Sequence, residues 1–208
     1  MHRPVLVTPP STLPVTLAEA KAHLRVNALG SDGNLLANED DALIEGLIRA
    51  ATDHLDGWTG ILGRCLVEQT WRQDYDAFAH CLPLPLGPLI QIDSVKWTGR
   101  DGVQHTLAQQ DYAAVVDGGG RAAVRMADGF SVPGDLASSG AVSVTFRAGY
   151  PTIDNKSTVP AALKQALLLL VGAWYENREE TVIGVSVAAL PPSVAFAALI
   201  RPYRSLRV

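Results

Sequence analysis

The sequence has few residues of the kinds that build reactive or cross-linked sites. Its 208 residues include two cysteines, Cys65 and Cys81. Two cysteines are too few for a disulfide framework, and these two lack the close spacing of metal ligands. We therefore expect reduced thiols, with no disulfide, no metal and no bound cofactor.

Positive charge and long apolar runs are also scarce. The formal net charge is -4, whereas a dedicated nucleic-acid binder needs a basic face to neutralise phosphates. No window approaches the roughly 20 apolar residues that span a bilayer. Residues 1–10 carry prolines in place of the apolar core of a signal peptide. We expect a cytoplasmic protein with no membrane span and no secretory segment.

What is present favours a folded protein with helices near both ends. Hydrophobic residues make up 48% of the chain, enough for one large domain or two small ones. Thr16 and Glu19 have the spacing of a capping box, which predicts a short helix that fades at 27–30. A second, amphipathic helix is predicted from six apolar residues at steps of three and four, namely Ile44, Leu47, Ile48, Ala51, Leu55 and Trp58.

The middle of the chain, from about residue 64, has the pattern of strands. Val142, Val144 and Phe146 alternate with polar residues, as in a half-buried strand. Glycine-rich segments at 99–102 and 117–120 predict the turns of hairpins. The prolines of segment 82–88 exclude a regular helix or a central strand there. We predict a small antiparallel sheet domain.

A third helix is predicted after Pro160, because proline is favoured at a first helical position. Its apolar residues lie nearly all round, and such a helix must be covered on more than one side. Either the sheet domain or a neighbouring subunit could provide that cover. Our candidate subunit interface consists of Leu168, Leu169 and Ala173.

The C-terminal segment combines an apolar helix with arginines. Residues 182–192 are predicted to form a flexible tether, and the helix after them is too short to be stable alone. Arginine and aromatic residues often carry the binding energy of interfaces. We therefore predict that the tail is poorly ordered in the free subunit and folds on a partner; the alternative is a helix packed on its own core. The candidate docking residues are Phe196, Leu199, Ile200, Arg201, Tyr203 and Arg204.

Together these patterns predict an α+β fold, in which N-terminal helices and the long C-terminal helix form a small helical bundle with an inserted antiparallel β-domain. The expected division is residues 1–62 for the N-terminal helical part and 63–150 for the β-domain. Residues 151–181 then complete the helical unit, and 182–208 are the tether and docking helix.

No catalytic site is predicted. Segment 184–188 is one residue short of a nucleophile elbow, and no helix signal follows it at once. Segment 117–120 lacks the Lys-Ser/Thr ending of a phosphate-binding loop. His80 and Cys81 are adjacent, so in a strand they would point to opposite faces and could not hold one metal.

The order of several segments resembles the head–tail connector, or adaptor, proteins of long-tailed bacteriophages. It is especially similar to the subgroup with a β-domain between the second and third helices. The Ala- and Arg-rich composition also resembles versions carried in prophages and gene-transfer-agent particles. The resemblance extends from about residue 14 to residue 204. It is carried by segments 14–26, 40–44, 82–89, 149–151, 159–166 and 174–179.

The resemblance implies a structural, non-enzymatic subunit of a ring of about twelve copies, a homododecamer. Such a ring would join the portal of a DNA-filled head to the tail, with the C-terminal segment reaching the portal. The expected partners are the portal protein and a tail-side connector or tail terminator, while DNA passes through the lumen without specific binding. The subunit would begin in the host cytoplasm and end at the head–tail junction.

Two other functions remain open from the residues alone. One is a small-ligand or carbohydrate-binding module on the β-domain, using exposed tryptophans. The other is an intracellular hydrolase with an α+β fold, although the sequence offers no pocket constellation for it.

Overall fold

The computed structural model of the chain describes residues 2–26, 39–118, 120–153, 156–177 and 194–205. The helices of this part are α1 (Leu17–Leu24), α2 (Asp41–Leu55), α3 (Ala161–Glu176) and α4 (Val194–Ile200). The strands are β1 (Val5–Thr8), β2 (Gln69–Tyr75), β3 (Cys81–Pro83), β4 (Leu89–Thr98), β5 (Gln104–Thr106), β6 (Tyr112–Val116), β7 (Ala122–Met126), β8 (Val142–Ala148), β9 (Thr152–Ile153) and β10 (Lys156–Ser157). The α+β class predicted from the sequence is confirmed.

The helices pack around one hydrophobic core. Ile44 and Ile48 of α2 are fully buried there with Leu163 and Leu167 of α3, although more than 100 residues separate the two helices in sequence. The α4 helix adds Phe196 to the same cluster. The N-terminal and C-terminal helices therefore form one unit, as the return of the helical period after the strands predicted.

The ends of α1 follow local rules. The Thr16 hydroxyl accepts a hydrogen bond from the Glu19 backbone N–H, and the Glu19 carboxylate accepts one from the Thr16 backbone N–H. This confirms the capping box. The helix ends at Arg25, whose left-handed backbone (φ 59°) brings its N–H back to Ala22.

Polar contacts hold the three longer helices together. Lys21 Nζ lies 2.8 Å from an Asp41 carboxylate oxygen and links α1 to α2. Lys164 Nζ lies 3.0 Å from Glu19 and links α3 to α1. The Lys21 side chain is only 3% exposed, so its charge depends on this pairing.

The strands form a five-stranded antiparallel sheet, a three-stranded antiparallel sheet and the two-stranded ribbon of β9 and β10. The orders are β1-β2-β8-β4-β5 and β3-β7-β6. In the larger sheet Trp71, Tyr75, Val144 and Phe146 lie on the buried face, above a core shared with Leu82 and Val124 of the smaller sheet. The predicted period of two in β8 is confirmed by its alternating burial.

The first strand was not predicted. Strand β1 pairs with β2, more than 60 residues later in the chain. A four-residue segment is too short for its pattern of apolar and polar residues to indicate a strand or its pairing partner. One edge strand of the five-stranded sheet therefore precedes all the described helices in the chain.

After α1, the described chain crosses between the helical core and the sheets at two neighbouring points. The first is the segment before β2, where the Asp56 carboxylate accepts hydrogen bonds from the Leu66 backbone N–H and the Gln69 amide. The second is Gly149, which directly follows β8 and has φ +119°. A Cβ on Gly149 would overlap the backbone carbonyl of Val67, so the two crossings are in close contact.

Candidate functional site

The outer side of α3 is the first surface that the sequence indicated. Leu168 and Leu169 are half-buried and pack against the helical core of their own chain, whereas Ala173 is exposed. Part of the apolar excess of α3 is therefore covered within the subunit. Of the three candidate interface residues, Ala173 presents its side chain most freely to a neighbour.

The position of α4 corrects one prediction. This helix was expected to be undocked in the free subunit, with Phe196 and Ile200 available to a partner, but both side chains are buried against α3 and its core. The physical reason is that seven residues cannot form a stable helix alone, and the apolar face of α4 finds a partner within its own chain. Phe196 and Ile200 are thus core residues.

The segment after α4 is tied to the junction between the two cores. The Ser205 backbone N–H donates to the Leu62 carbonyl at 2.8 Å, and the Arg64 guanidinium lies 5.9 Å from the centre of the Tyr203 ring. Arg201 and Arg204 remain exposed on the outside of this segment, and Leu199 is half-buried. Of the six candidate docking residues, Arg201 and Arg204 are therefore the ones that the structure leaves exposed.

We expect replacement of Phe196 by alanine to lower the free energy of unfolding by about 3 kcal/mol, because a buried aromatic ring would leave a cavity between α4 and α3. Val194 of the same helix is 88% exposed, and Val194→Ala should change stability by less than about 0.5 kcal/mol. Urea unfolding of both variants measures the difference. Equal stability of the two variants would contradict the docked position of α4.

A groove of about 920 Å³ lies between α2 and the segment that connects β1 to α1. Trp58 and Trp71 line one end, and Glu45 and Asp53 line the side formed by α2. Asp56 also lines it; burial raises the pKa of this carboxyl, although hydrogen bonds from Gln69 and Leu66 favour its charged form. Because Asp56 already holds the first crossing together, its role is structural.

The open face of the large sheet carries charge of both signs in pairs. Arg147 lies 2.8 Å from Glu68 and 3.3 Å from Asp93, and Arg72 lies 3.0 Å from Asp74. Arginines that are already paired with carboxylates are poorly placed to neutralise phosphates. This face therefore offers little attraction to DNA.

The described residues were compared with the requirements of a nucleophilic thiol and of a metal site. Cys65 is buried, and burial raises the pKa of its thiol, which makes the nucleophilic thiolate unfavourable. The described segments contain no cluster of three or more His, Cys, Asp or Glu residues that could hold a metal ion. Strands β6 and β7 pair antiparallel on either side of segment 117–120, as predicted for a hairpin. Segment 184–188 lies outside the described residues.

No helix within the described ranges is long and apolar enough to cross a membrane.

Comparison with a protein family gives the first external indication of function. The sequence model of the family described as "Phage gp6-like head-tail connector protein" matches residues 135–204, about a third of the chain. The match covers β8, α3 and α4, and thus the helical core's C-terminal half. The resemblance noted in the sequence is confirmed.

Solved structures show the same fold over the whole chain. One is from the neck of an empty gene transfer agent (GTA) particle computed with C6 symmetry, with 23% identity, a TM-score of 0.75 and coverage of 100% of this chain and 97% of that one. Another, from the virion of a native GTA particle, has 23% identity, a TM-score of 0.73 and the same coverage of both chains. A third, from the neck of a native GTA particle computed with C12 symmetry, has 20% identity and a TM-score of 0.58. It covers 98% of this chain and 97% of that one.

No protein of curated function matches the chain significantly. The comparisons that do match describe connector and neck proteins, which are structural parts of particles. They agree with a structural, non-enzymatic head–tail connector and give no support to a ligand-binding module or a hydrolase. Sequence reasoning missed β1 and the docked state of α4, because both depend on partners distant in the chain.

Proposed function

We propose that this chain is a ring-forming adaptor subunit at the neck of a phage-like or gene-transfer-agent particle. The observation that carries the proposal is the likeness to GTA neck structures over the full length of both chains, together with the connector-family match at residues 135–204. A likeness that includes the helical unit and the β-domain in the same order is more than a shared single motif. The division at residues 62, 150 and 181 is part of this proposal.

The ring would contain about twelve copies, in line with the C6 and C12 symmetry of the similar neck particles. Copies in such a ring meet through two different surfaces, since each contact is heterologous and closes by rotation. The exposed outer side of α3 around Ala173, with the outer parts of Leu168 and Leu169, supplies one of these surfaces.

The portal is the proposed partner on one side, and a tail-side connector or tail terminator is the partner on the other. Arg201 and Arg204 are exposed beside α4, at a segment anchored by Ser205 and Tyr203, and they are our revised portal contacts. Leu199 adds a half-buried apolar contact. Exposed charges of this kind orient a partner and speed its association more than they add affinity.

DNA would pass through the ring without specific binding. The net charge of -4 and the ion-paired arginines of the open sheet face support this part of the proposal, because both limit attraction to phosphates. The subunit would be made in the host cytoplasm and become part of the head–tail junction.

We expect Ala173→Glu to reduce ring formation about tenfold or more while leaving the subunit folded, because the added charge would be buried only between copies. Ala161 is exposed at the start of the same helix and about 18 Å away along it. Ala161→Glu is the matched control and should assemble normally. Mass photometry and circular dichroism measure assembly and folding. Normal rings from the Ala173 variant would exclude this face from the interface.

The proposed function is tested by imaging the purified protein alone and mixed with portal protein. We expect rings, or rings stacked on portal, in electron micrographs. A chain that stays monomeric and leaves portal unchanged would contradict the adaptor role. Replacing Arg201 and Arg204 by glutamine should weaken portal binding without loss of rings, which separates the portal contact from the ring contact.

A further inference from the structure

In the part of the chain that the structure describes, the two larger sheets have four edges, of which two are apolar and open and two are protected. Strand β6 has the sequence Tyr-Ala-Ala-Val-Val, and its last four residues are exposed. Within the described residues it pairs with β7 alone, so its other edge is free. Strand β1, Val-Leu-Val-Thr, is exposed at all four residues and pairs with β2 alone in the same part of the chain.

The remaining edges carry the features that prevent strands from adding. Strand β5 has three residues, all polar, and strand β3 has three residues and ends at Pro83. Proteins usually shorten, charge or interrupt their edge strands, since unpaired N–H and C=O groups otherwise recruit another strand. The absence of any charge within β1 and β6 is therefore a departure from the usual design.

We propose that β1 of one copy adds to the free edge of β6 of the next copy, which joins the sheets of neighbouring subunits. This inference rests on the proposed ring and names a contact within it. The partner of a free strand edge is expected to be another strand, because its backbone N–H and C=O groups match the unpaired row of donors and acceptors. A second copy of this chain carries such a strand with the same apolar character.

The positions of the two edges suit a head-to-tail contact. Strand β6 contacts β4, whereas β1 is separated from β4 by β2 and β8. At roughly 4.8 Å per strand, β1 and β4 are about 14 Å apart, so β1 and β6 lie in different parts of the subunit. Two different edges that meet each other form a heterologous interface, the kind that closes into rings.

Charge is also complementary. Carboxylates flank β6 at both ends, at Asp111 and Asp117, while the exposed Arg3 precedes β1. The arginines of the hairpin, Arg121 and Arg125, lie at or in β7, on the paired side of β6. Strand β1 has a bulge between Leu6 and Thr8. Because bulges interrupt pairing, the added strand should consist of the residues before the bulge.

The experiment places a lysine on each edge in turn. Val116 is 54% exposed in β6, and Val5 is 44% exposed in β1; lysine at an exposed edge is compatible with the fold but blocks a second strand. Val132, 55% exposed in a loop, gives the matched control Val132→Lys. Assembly is measured by mass photometry over a concentration series, with and without portal protein, and folding by circular dichroism.

We expect Val116→Lys and Val5→Lys each to require at least about tenfold more protein for half-assembly than Val132→Lys. An equimolar mixture of the two edge variants should form dimers and stop there, because each partner retains one of the two edges. Wild-type rings together with normal rings from Val116→Lys would overturn the strand pairing but keep the proposed function. So would dimers of either edge variant alone, or a mixture that stays monomeric. A wild-type chain that forms no ring under either condition would contradict both proposals.

Discussion

Alanine at position 149 should prevent normal folding, with a loss of at least about 4 kcal/mol in the free energy of unfolding. Gly149 has φ +119°, a backbone conformation that side chains rarely allow. A Cβ there would also overlap the carbonyl group of Val67, which belongs to the other crossing between the two cores. Neither backbone can move without disturbing β2 or β8. Soluble yield and urea unfolding measure the effect.

Gly140 provides the control for this substitution. Its φ is +59°, but a Cβ at that position would meet nothing within 4 Å. Gly140→Ala should therefore cost about 1–2 kcal/mol, the penalty of a left-handed backbone alone. If Gly149→Ala were as stable as Gly140→Ala, the close contact of the two crossings would be wrong.

Removal of the Asp41 carboxylate should destabilise the protein by about 3–5 kcal/mol, because it removes a negative charge 2.8 Å from the buried ammonium of Lys21. The two partners are unequal. The Lys21 side chain is 3% exposed, whereas that of Asp41 is 24% exposed and can be hydrated. We therefore expect Lys21→Met to cost only about 1 kcal/mol, since its methylenes are replaced by an apolar side chain of similar length.

A double-mutant cycle decides whether the pairing is the cause. Lys21→Met combined with Asp41→Ala should recover most of the stability lost in Asp41→Ala, because no buried charge remains. Urea unfolding of the wild type, both single variants and the double variant gives the coupling free energy. Additive effects of the two substitutions would show that Asp41 acts in another way, such as at the N-terminus of α2.

The fold was largely predictable where the pattern was local or long. Five of the six apolar positions predicted for the second helix lie in α2, whereas Trp58 lies beyond its end at Leu55. These five and the alternation in β8 are visible in the sequence because a single helix face or strand face determines them. The turn at 117–120 is indicated by glycine and aspartate alone. The capping box of α1 likewise depends on Thr16 and Glu19, three residues apart.

What the sequence did not reveal depends on distant partners. Strand β1 forms because it pairs with β2, and His2 just before it contacts the Asp76 carboxylate. That carboxylate also accepts hydrogen bonds from Gly140 and Ser139, and these contacts lower the pKa of Asp76 to about 2. The docked state of α4 depends on a site on α3 that periodicity cannot locate. An assembly surface is hard to predict for the same reason, since Leu168 and Leu169 are partly covered by their own chain.

The order of the elements along the chain has a consequence for synthesis on the ribosome. Helices α1 and α2 leave the ribosome early, but α3, which buries their apolar faces, follows more than 100 residues after α2 begins. At 5–20 residues per second, as is typical of translation, α1 and α2 wait on the order of ten seconds for α3. Strands β1 to β8 are complete before then, so we expect the sheets to form first. The helical unit can close only after α3 has emerged, so we expect chains truncated before α3 to be unable to complete the fold.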